Sequence, residues 1–325
     1  MTDQTTSVRE GHRCGFATLT GQPNVGKSTL INSLLGEKLA IVSPKPQTTR
    51  DEIRGVLTMP DKQIVFIDTP GVHQARSPLN RAMVGVAIDA LESVDVVVLV
   101  VDATRAAKAG KKAGKNVLRD EEGVDSRVLK GDRRIFRAVQ RYNTRFLVAL
   151  NKIDVVNKRH LLPVMQAYAT LPGVGAIVPI SAREADGLDL LIDAIAEFLP
   201  EGPRLYDADA LTDRTVRFLA AELIREQVFL RTRDEVPYGV AVEIEVFEES
   251  PNRTRIQALI HVERASQRGI LIGKGGAMIK AIGTQARAEI AQMLGQPVHL
   301  DLLVRVEAAW SERLAALRRF GYGQR

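Results

Sequence analysis

The chain has 325 residues, with 45 Lys plus Arg against 39 Asp plus Glu and a formal charge of +6. That length holds two domains with cores of their own, and 45% apolar with 26% charged residues is a globular composition. The single cysteine excludes a disulfide framework or a cysteine-rich zinc site and fits a reducing compartment. No apolar run approaches the roughly 18 residues of a membrane span, and MTDQTTSVRE lacks a signal-peptide core, so the expectation is a cytoplasmic protein. The positive charge is local. Residues 104–137 hold 11 basic and 5 acidic residues, a net +6 equal to that of the whole chain.

Taken in chain order, residues 1–12 are polar and expected to be mobile. From 13 to 202, short apolar runs alternate with helical patterns: FATLT (16–20), QIVFID (63–68), VDVVVLVVD (94–102), RFLVALN (145–151) and AIVPIS (176–181). Continuous apolar runs suit strands buried on both faces, so this block reads as an α/β, doubly wound, mostly parallel sheet. Helices are predicted over Lys27–Leu35, Leu79–Leu91 and Leu188–Phe198. LPEGP (199–203) punctuates the chain. From 203 to 325 a linker leads to a helix (212–231), two strands (238–248 and 254–263), helices at 266–272 and 277–294, a strand (298–306) and a last helix (307–319). That is a smaller α+β domain.

Gly21-Gln22-Pro23-Asn24-Val25-Gly26-Lys27-Ser28 follows the first strand and opens a helix, the context in which GxxxxGK[ST] cradles phosphates. Its glycines allow a nest of N–H groups, Lys27 reaches the β and γ phosphates, and Ser28 ligates Mg²⁺, with Thr29 completing the turn. Asp68-Thr69-Pro70-Gly71 ends the next strand, where Asp68 can hold Mg²⁺ and the Gly71 amide can meet the γ phosphate. Asn151-Lys152-Ile153-Asp154 and Ser181-Ala182 end later strands. One Asp154 carboxylate can accept both guanine N1–H and the exocyclic amine; adenine offers no such donors, so guanine is the expected base.

With these motifs in order, the block resembles the GTP-binding domain of the TrmE-Era-EngA-like, translation-factor-related GTPases. The resemblance implies a switch I in Lys45–Asp51, including Gln47, Thr48, Thr49, Arg50 and Asp51. One threonine there ligates Mg²⁺ when the γ phosphate is present; spacing leaves Thr48 and Thr49 both open, and Thr49 is favoured. Ras-type enzymes orient the attacking water with a glutamine after the DxxG glycine, but Val72 stands here. In glutamine-less relatives the position of Asn24 coordinates K⁺, which implies K⁺-stimulated hydrolysis with Lys27, Thr49, Gly71 and Asn24 as the catalytic set.

Ile272-Gly273-Lys274-Gly275-Gly276 joins two helical patterns in the second block. A lone GxxG is weak and is most often a helix–helix turn, but the element order around it resembles that of a type II KH domain, where such a loop packs against a sugar–phosphate chain. Lys274 and Lys280 add charge. With 17 basic and 16 acidic residues from Tyr206 onward, this block is nearly neutral, which favours selective reading of a short single strand over bulk electrostatics. Trp310, Phe320 and Tyr322 are open between base stacking and core packing, with the core favoured for Trp310.

GxPNVGKST, QTTRD, DTPGVH, NKID and SAREADG, with YGVAVEIE and PVHLDLLVRV, resemble the Era family over almost all of 13–323. That resemblance implies a slow, Mg²⁺-dependent conversion of GTP to GDP, binding to the 3′ end of 16S rRNA, a role in assembly of the 30S ribosomal subunit, a monomer, and peripheral association with the inner membrane. The alternative is an RNA-processing or tRNA-modification-linked GTPase whose KH domain only docks a substrate. A scaffold that binds GTP without turnover is a third reading. The basic segment 104–137 departs from the family pattern and reads as a mobile loop or frayed helix that either makes a second, nonspecific rRNA contact or is a solvated insertion without a role; deleting 106–131 should weaken 30S binding in the first case.

Overall fold

The computed structural model describes residues 11–43, 45, 50, 52–68, 78–79, 92–113, 119, 123–141 and 145–322. They form two compact units, the first comprising 11–40, 52–68, 92–113, 119, 123–141 and 145–213, the second 41–43, 45, 50, 78–79 and 214–322. Among the described residues, no helix is long and apolar enough to cross a membrane.

The strands of the first unit are β1 (Arg13–Thr20), β2 (Ile53–Thr58), β3 (Lys62–Asp68), β4 (Val96–Asp102), β5 (Arg145–Asn151) and β6 (Val174–Pro179). They form one sheet in the order β2-β3-β1-β4-β5-β6. Every residue of β4 is buried, and its side chains divide by the period of two. Val96, Val98 and Val100 join Leu30, Ile31, Leu191 and Ile195 on one face. Val97, Leu99 and Val101 join Ile135, Phe136, Val164 and Tyr168 on the other. The helices are α1 (Lys27–Leu35), α2 (Ala103–Ala113), α3 (Lys130–Gln140), α4 (Leu161–Tyr168) and α5 (Leu188–Ala196).

Two features were not legible in the apolar runs. The edge strand β2 pairs antiparallel with β3, from Ile53 opposite Asp68 to Thr58 opposite Gln63. Its IRGVLT sequence mixes polar and apolar residues because an edge strand buries less of itself. The segment 203–213 also runs along this edge. Gln63 Oε1 accepts from the Leu205 and Tyr206 amides at 2.8 and 3.0 Å, and the Val56 amide donates to the Leu211 carbonyl at 2.9 Å. At the other end, His12 is buried rather than loose, its Nδ1 lying 2.9 Å from the Gly202 carbonyl. Residues 1–10 and, apart from Leu79, the helix expected over 79–91 lie outside the described residues.

Among its described residues, the basic segment, read as a loop or frayed helix, holds nearly all of α2 and most of α3; 114–118 and 120–122 lie outside the described residues. Helix α3 turns Ile135, Phe136 and Val139 into the core, which fixes its cationic side outward.

In the second unit, α6 (Val216–Arg231), β7 (Val240–Ser250), β8 (Arg253–Val262), α7 (Ala265–Ile272), α8 (Ala277–Leu294) and β9 (Val298–Val306) follow the expected order. β7 and β8 are antiparallel, and β8 and β9 parallel. The final helix is shorter than the predicted 307–319: α9 covers only Leu314–Arg319, after a single 3₁₀ turn at Trp310–Glu312. Ala309 takes a left-handed φ of 48° and Arg313 is extended, so neither continues a helix. Trp310 is fully buried, stacked on Tyr322 at 5.8 Å, edge-on to Phe320 at 5.2 Å, with Nε1–H donating to the Gly239 carbonyl. Trp310 and Tyr322 are therefore core residues, not a platform for bases.

Candidate nucleotide site and nucleic-acid interface

The turn between β1 and α1 is crowded in a way that only its glycines permit. Gly21 has φ +155°, and a Cβ there would lie 2.4 Å from the Val100 carbonyl oxygen; at Gly26, φ +100°, it would lie 2.5 Å from Asn151 Nδ2. Asn24 also adopts a left-handed φ of 63°. The backbone thus curls at the N-terminus of α1, where N–H groups and the helix dipole favour an anion. Lys27 reaches back across the turn, its Nζ 3.3 Å from the Gly21 carbonyl. Burial lowers its pKa and the Asp68 charge opposes that shift.

Ser28 Oγ donates to Asp68 Oδ2 at 3.2 Å, so the first turn of α1 and the end of β3 bring two hard oxygen donors together beside the nest. That donor set suits Mg²⁺. Gln22 leaves the nest sideways and donates from Nε2 to Asp132 Oδ1 at 2.6 Å, while Tyr168 OH donates to Asp132 Oδ2 at 2.5 Å. Burial pushes the Asp132 carboxyl up, against those two hydrogen bonds.

The NKID and SA motifs converge on the same turn. Asn151 Nδ2 donates to the Val25 carbonyl at 2.9 Å, and its Oδ1 accepts from the Ala182 amide at 2.9 Å. Lys152 donates from Nζ to the Asn24 carbonyl and to Asp102 Oδ2, both at 2.7 Å. Burial would raise the Asp102 carboxyl, but hydrogen bonds from Lys152 and Thr104 hold it below its ordinary value. Asp154 is exposed at the end of this scaffold, with Oδ1 accepting from Ser181 Oγ at 2.8 Å. Ile153 is tied in through its amide to the Ile180 carbonyl at 3.2 Å. Pro23 and Thr29 are half-buried, in the turn and in the first turn of α1.

Asp102, Asp132 and Tyr168 escaped sequence reading. Asp102 ends the VVVLVVD strand as Asp68 ends QIVFID, a signal that could have found it. Asp132 lay unremarked within the basic segment. Of the switch residues, Gln47, Thr48, Thr49, Asp51, Thr69, Pro70, Gly71 and Val72 lie outside the described residues.

Arg50 is described, and it belongs to the second unit. Its guanidinium is buried and donates to the carbonyls of Val240 (2.6 Å), Tyr238 (2.8 Å) and Pro237 (3.1 Å). It also faces the rings of Phe229, Tyr322 and Trp310 at 5.7, 5.6 and 6.0 Å. Arginine supplies the planar fork that several carbonyls and aromatic faces require.

The IGKGG loop leaves α7 at Ile272 and enters α8 at Ala277. Gly273 is packed from within: a Cβ would meet Met278 Cβ at 2.8 Å. Gly275 and Gly276 also have left-handed φ, +59° and +81°, yet an added Cβ meets nothing within 4 Å. Lys274 and Lys280 are exposed beside them. Close backbone approach by a ligand is thus possible at the two outer glycines.

A strand–nest–helix site with an NKID scaffold, followed by a KH sheet with an open GxxG loop, defines a P-loop GTPase joined to a KH domain. Residues 16–152 match the family described as 50S ribosome-binding GTPase, and residues 235–311 match the KH domain family. GTPase Era of Geotalea uraniireducens (strain Rf4) is 45% identical over 95% of this chain and 98% of its own length. GTPase Era of Geobacter metallireducens is 46% identical, over 95% and 98%. A solved Era in complex with MgGDPNP and nucleotides 1506–1542 of 16S ribosomal RNA is 37% identical, covers 96% of this chain and 100% of its own, and superposes with a TM-score of 0.86. An Aquifex aeolicus Era variant bound to GDP and AlF₄⁻ matches with the same identity, coverage and TM-score. The chain belongs to the Era family, and it is a GTPase.

Proposed function

We propose that this chain is a GTP-driven switch that grips the 3′ end of 16S rRNA through its GKGG loop and acts in assembly of the 30S ribosomal subunit. The observation that carries this reading is the presence, in one chain, of a guanine-type nucleotide cleft and a GxxG loop whose outer glycines open to solvent. The Era relative solved with a 3′-terminal 16S fragment supports the choice of RNA.

In the cleft, the N–H nest and Lys27 take the phosphates of GTP or GDP, and Asp154 takes the guanine edge. Ser28 and Asp68, with Thr49 from switch I, would hold Mg²⁺, which when bound neutralises charge on the phosphate oxygens. Val72 cannot orient the attacking water, so intrinsic turnover is slow. Asn24 is the residue assigned to K⁺, and hydrolysis is expected to run faster in KCl than in NaCl; equal rates would remove that assignment. GTP binding orders the switches and favours RNA binding, and hydrolysis releases the RNA. The family reading also carries a monomer in the cytoplasm with peripheral contact to the inner membrane, which gel filtration and fractionation would check.

The test is the GTPase rate with and without a 3′-terminal 16S fragment. A rate that responds to this fragment and not to a scrambled RNA is expected; a rate indifferent to both, with no fragment bound, would overturn the reading.

A further inference from the structure

Helix α3 presents a row of cations on its outer side. Lys130, Arg134 and Arg137 are exposed, and Arg141, just past the last turn, continues the row. Steps of three or four residues keep side chains on one helix face, about 5–6 Å apart, so the row extends for about 16 Å. Together with Arg133 and Ala138 these residues line an open groove of about 520 Å³. Among the described residues, no carboxylate forms an ion pair with Lys130, Arg134 or Arg141. The helix's one acid, Asp132, is buried on the opposite side with Gln22 and Tyr168. Like charges lined up on one helix face repel one another and gain little for the fold.

From this geometry we infer that the outer face of α3 is a docking surface for an RNA sugar–phosphate backbone, a second contact in addition to that of the KH loop. It rests on the RNA-binding reading above. Two observations select RNA over an anionic membrane. The apolar side of α3 (Ile135, Phe136, Val139) is already buried in the domain core. None of the exposed large apolar residues lies in 130–141, so nothing is left to enter a bilayer, as an interfacial helix requires. Second, residues 235–311, which match the KH family, are nearly neutral at 8 basic to 9 acidic residues, so electrostatic affinity for RNA falls to other parts of the chain. The face narrows the sequence-based expectation of a contact in the basic segment 104–137: Lys130, Arg134 and Arg137 lie inside that segment and Arg141 just past it.

The experiment compares full-length wild type, the triple variant Lys130→Gln/Arg134→Gln/Arg141→Gln, and Gly275→Asp/Gly276→Asp. Affinity for purified 30S subunits and for a 3′-terminal 16S oligonucleotide is measured across a KCl series. Removing three phosphate contacts is expected to weaken 30S binding about tenfold at 150 mM salt and to flatten the log Kd against log[salt] slope by about 2. Oligonucleotide binding and basal GTPase activity should stay at wild-type levels. The glycine variant should instead lose the oligonucleotide without flattening the slope. If the triple variant keeps wild-type 30S affinity and salt slope, the inference is overturned, including when its binding to phosphatidylglycerol vesicles falls. If wild type binds neither RNA, it is the RNA-binding reading itself that fails.

Discussion

Glycines in the two ligand sites are needed for opposite reasons. In the nucleotide nest the space is already full: the Val100 carbonyl and Asn151 Nδ2 stand where a Cβ of Gly21 or Gly26 would go. In the GKGG loop, Gly273 is held from within by Met278, whereas Gly275 and Gly276 face open solvent. The nest is shaped by its own protein, so a substitution there damages local structure and ligand affinity together. The outer loop is shaped for a partner, so a substitution there costs mainly binding. A motif's glycines are thus not equivalent. The KH route is tested cleanly at Gly275 and Gly276, while a change at Gly273 would also disturb the start of α8.

The largest effect is expected at the nest. Gly26→Ala should weaken GDP binding at least about a hundredfold and lower Tm by several degrees, because strained backbone and a clash with Asn151 arise together. A titration with fluorescent GDP, paired with calorimetry, reads both; loss of affinity with an unchanged Tm would break the contrast. At the base end, Asp154→Asn should cost GTP about a hundredfold in affinity and shift preference toward a xanthine nucleotide, whose 2-oxo group accepts where guanine donates.

Next in size is Arg50→Met. Three carbonyls would lose their buried donor, costing the second unit about 3 kcal/mol. Trp310 is the only tryptophan in the chain and lies 6.0 Å from the guanidinium, so its fluorescence during denaturant unfolding reports that unit directly. An unchanged midpoint would show the cage to be incidental.

At the outer loop, Gly276→Asp should weaken 16S fragment binding at least tenfold while Tm moves by only a degree or two, since aspartate tolerates a left-handed φ. The smallest effect concerns acid. The Asp102 carboxyl titrates below its unfolded value, so its contribution to stability is present above the ordinary carboxylate range and is lost as pH falls through the lower folded value. Lys152→Met removes a cause of that shift, and its Tm deficit relative to wild type should narrow as pH is lowered toward 3. A deficit independent of pH would place the loss in the Lys152–Asn24 contact instead.

Much of this was legible in the chain. The apolar runs located β1 and β3–β6 because buried strands need apolar residues on both faces, and the helices Lys27–Leu35 and 277–294 were read to the residue from glycine punctuation. The nucleotide motifs announced themselves because their chemistry needs fixed spacing. What escaped depended on tertiary partners. β2 is a strand because β3 offers it an edge. Arg50, read as a switch residue, lies among carbonyls nearly two hundred positions downstream, which no local pattern encodes. Asp132 is one acid within a basic run, yet its burial against Gln22 and Tyr168 orients α3 so that the cations face outward. Part of the positive charge of the basic segment thus acquires an address on one helix face.

The most direct test of a switch with two separate glycine sites is RNA binding under nucleotide control. Affinity for the 3′-terminal 16S fragment is measured for wild type and Gly275→Asp/Gly276→Asp, each with a non-hydrolysable GTP analogue and with GDP. Wild type should bind more tightly with the analogue, and the variant should lose RNA in both states while hydrolysing GTP at the basal wild-type rate. RNA affinity that ignores the nucleotide and survives the substitutions would contradict it.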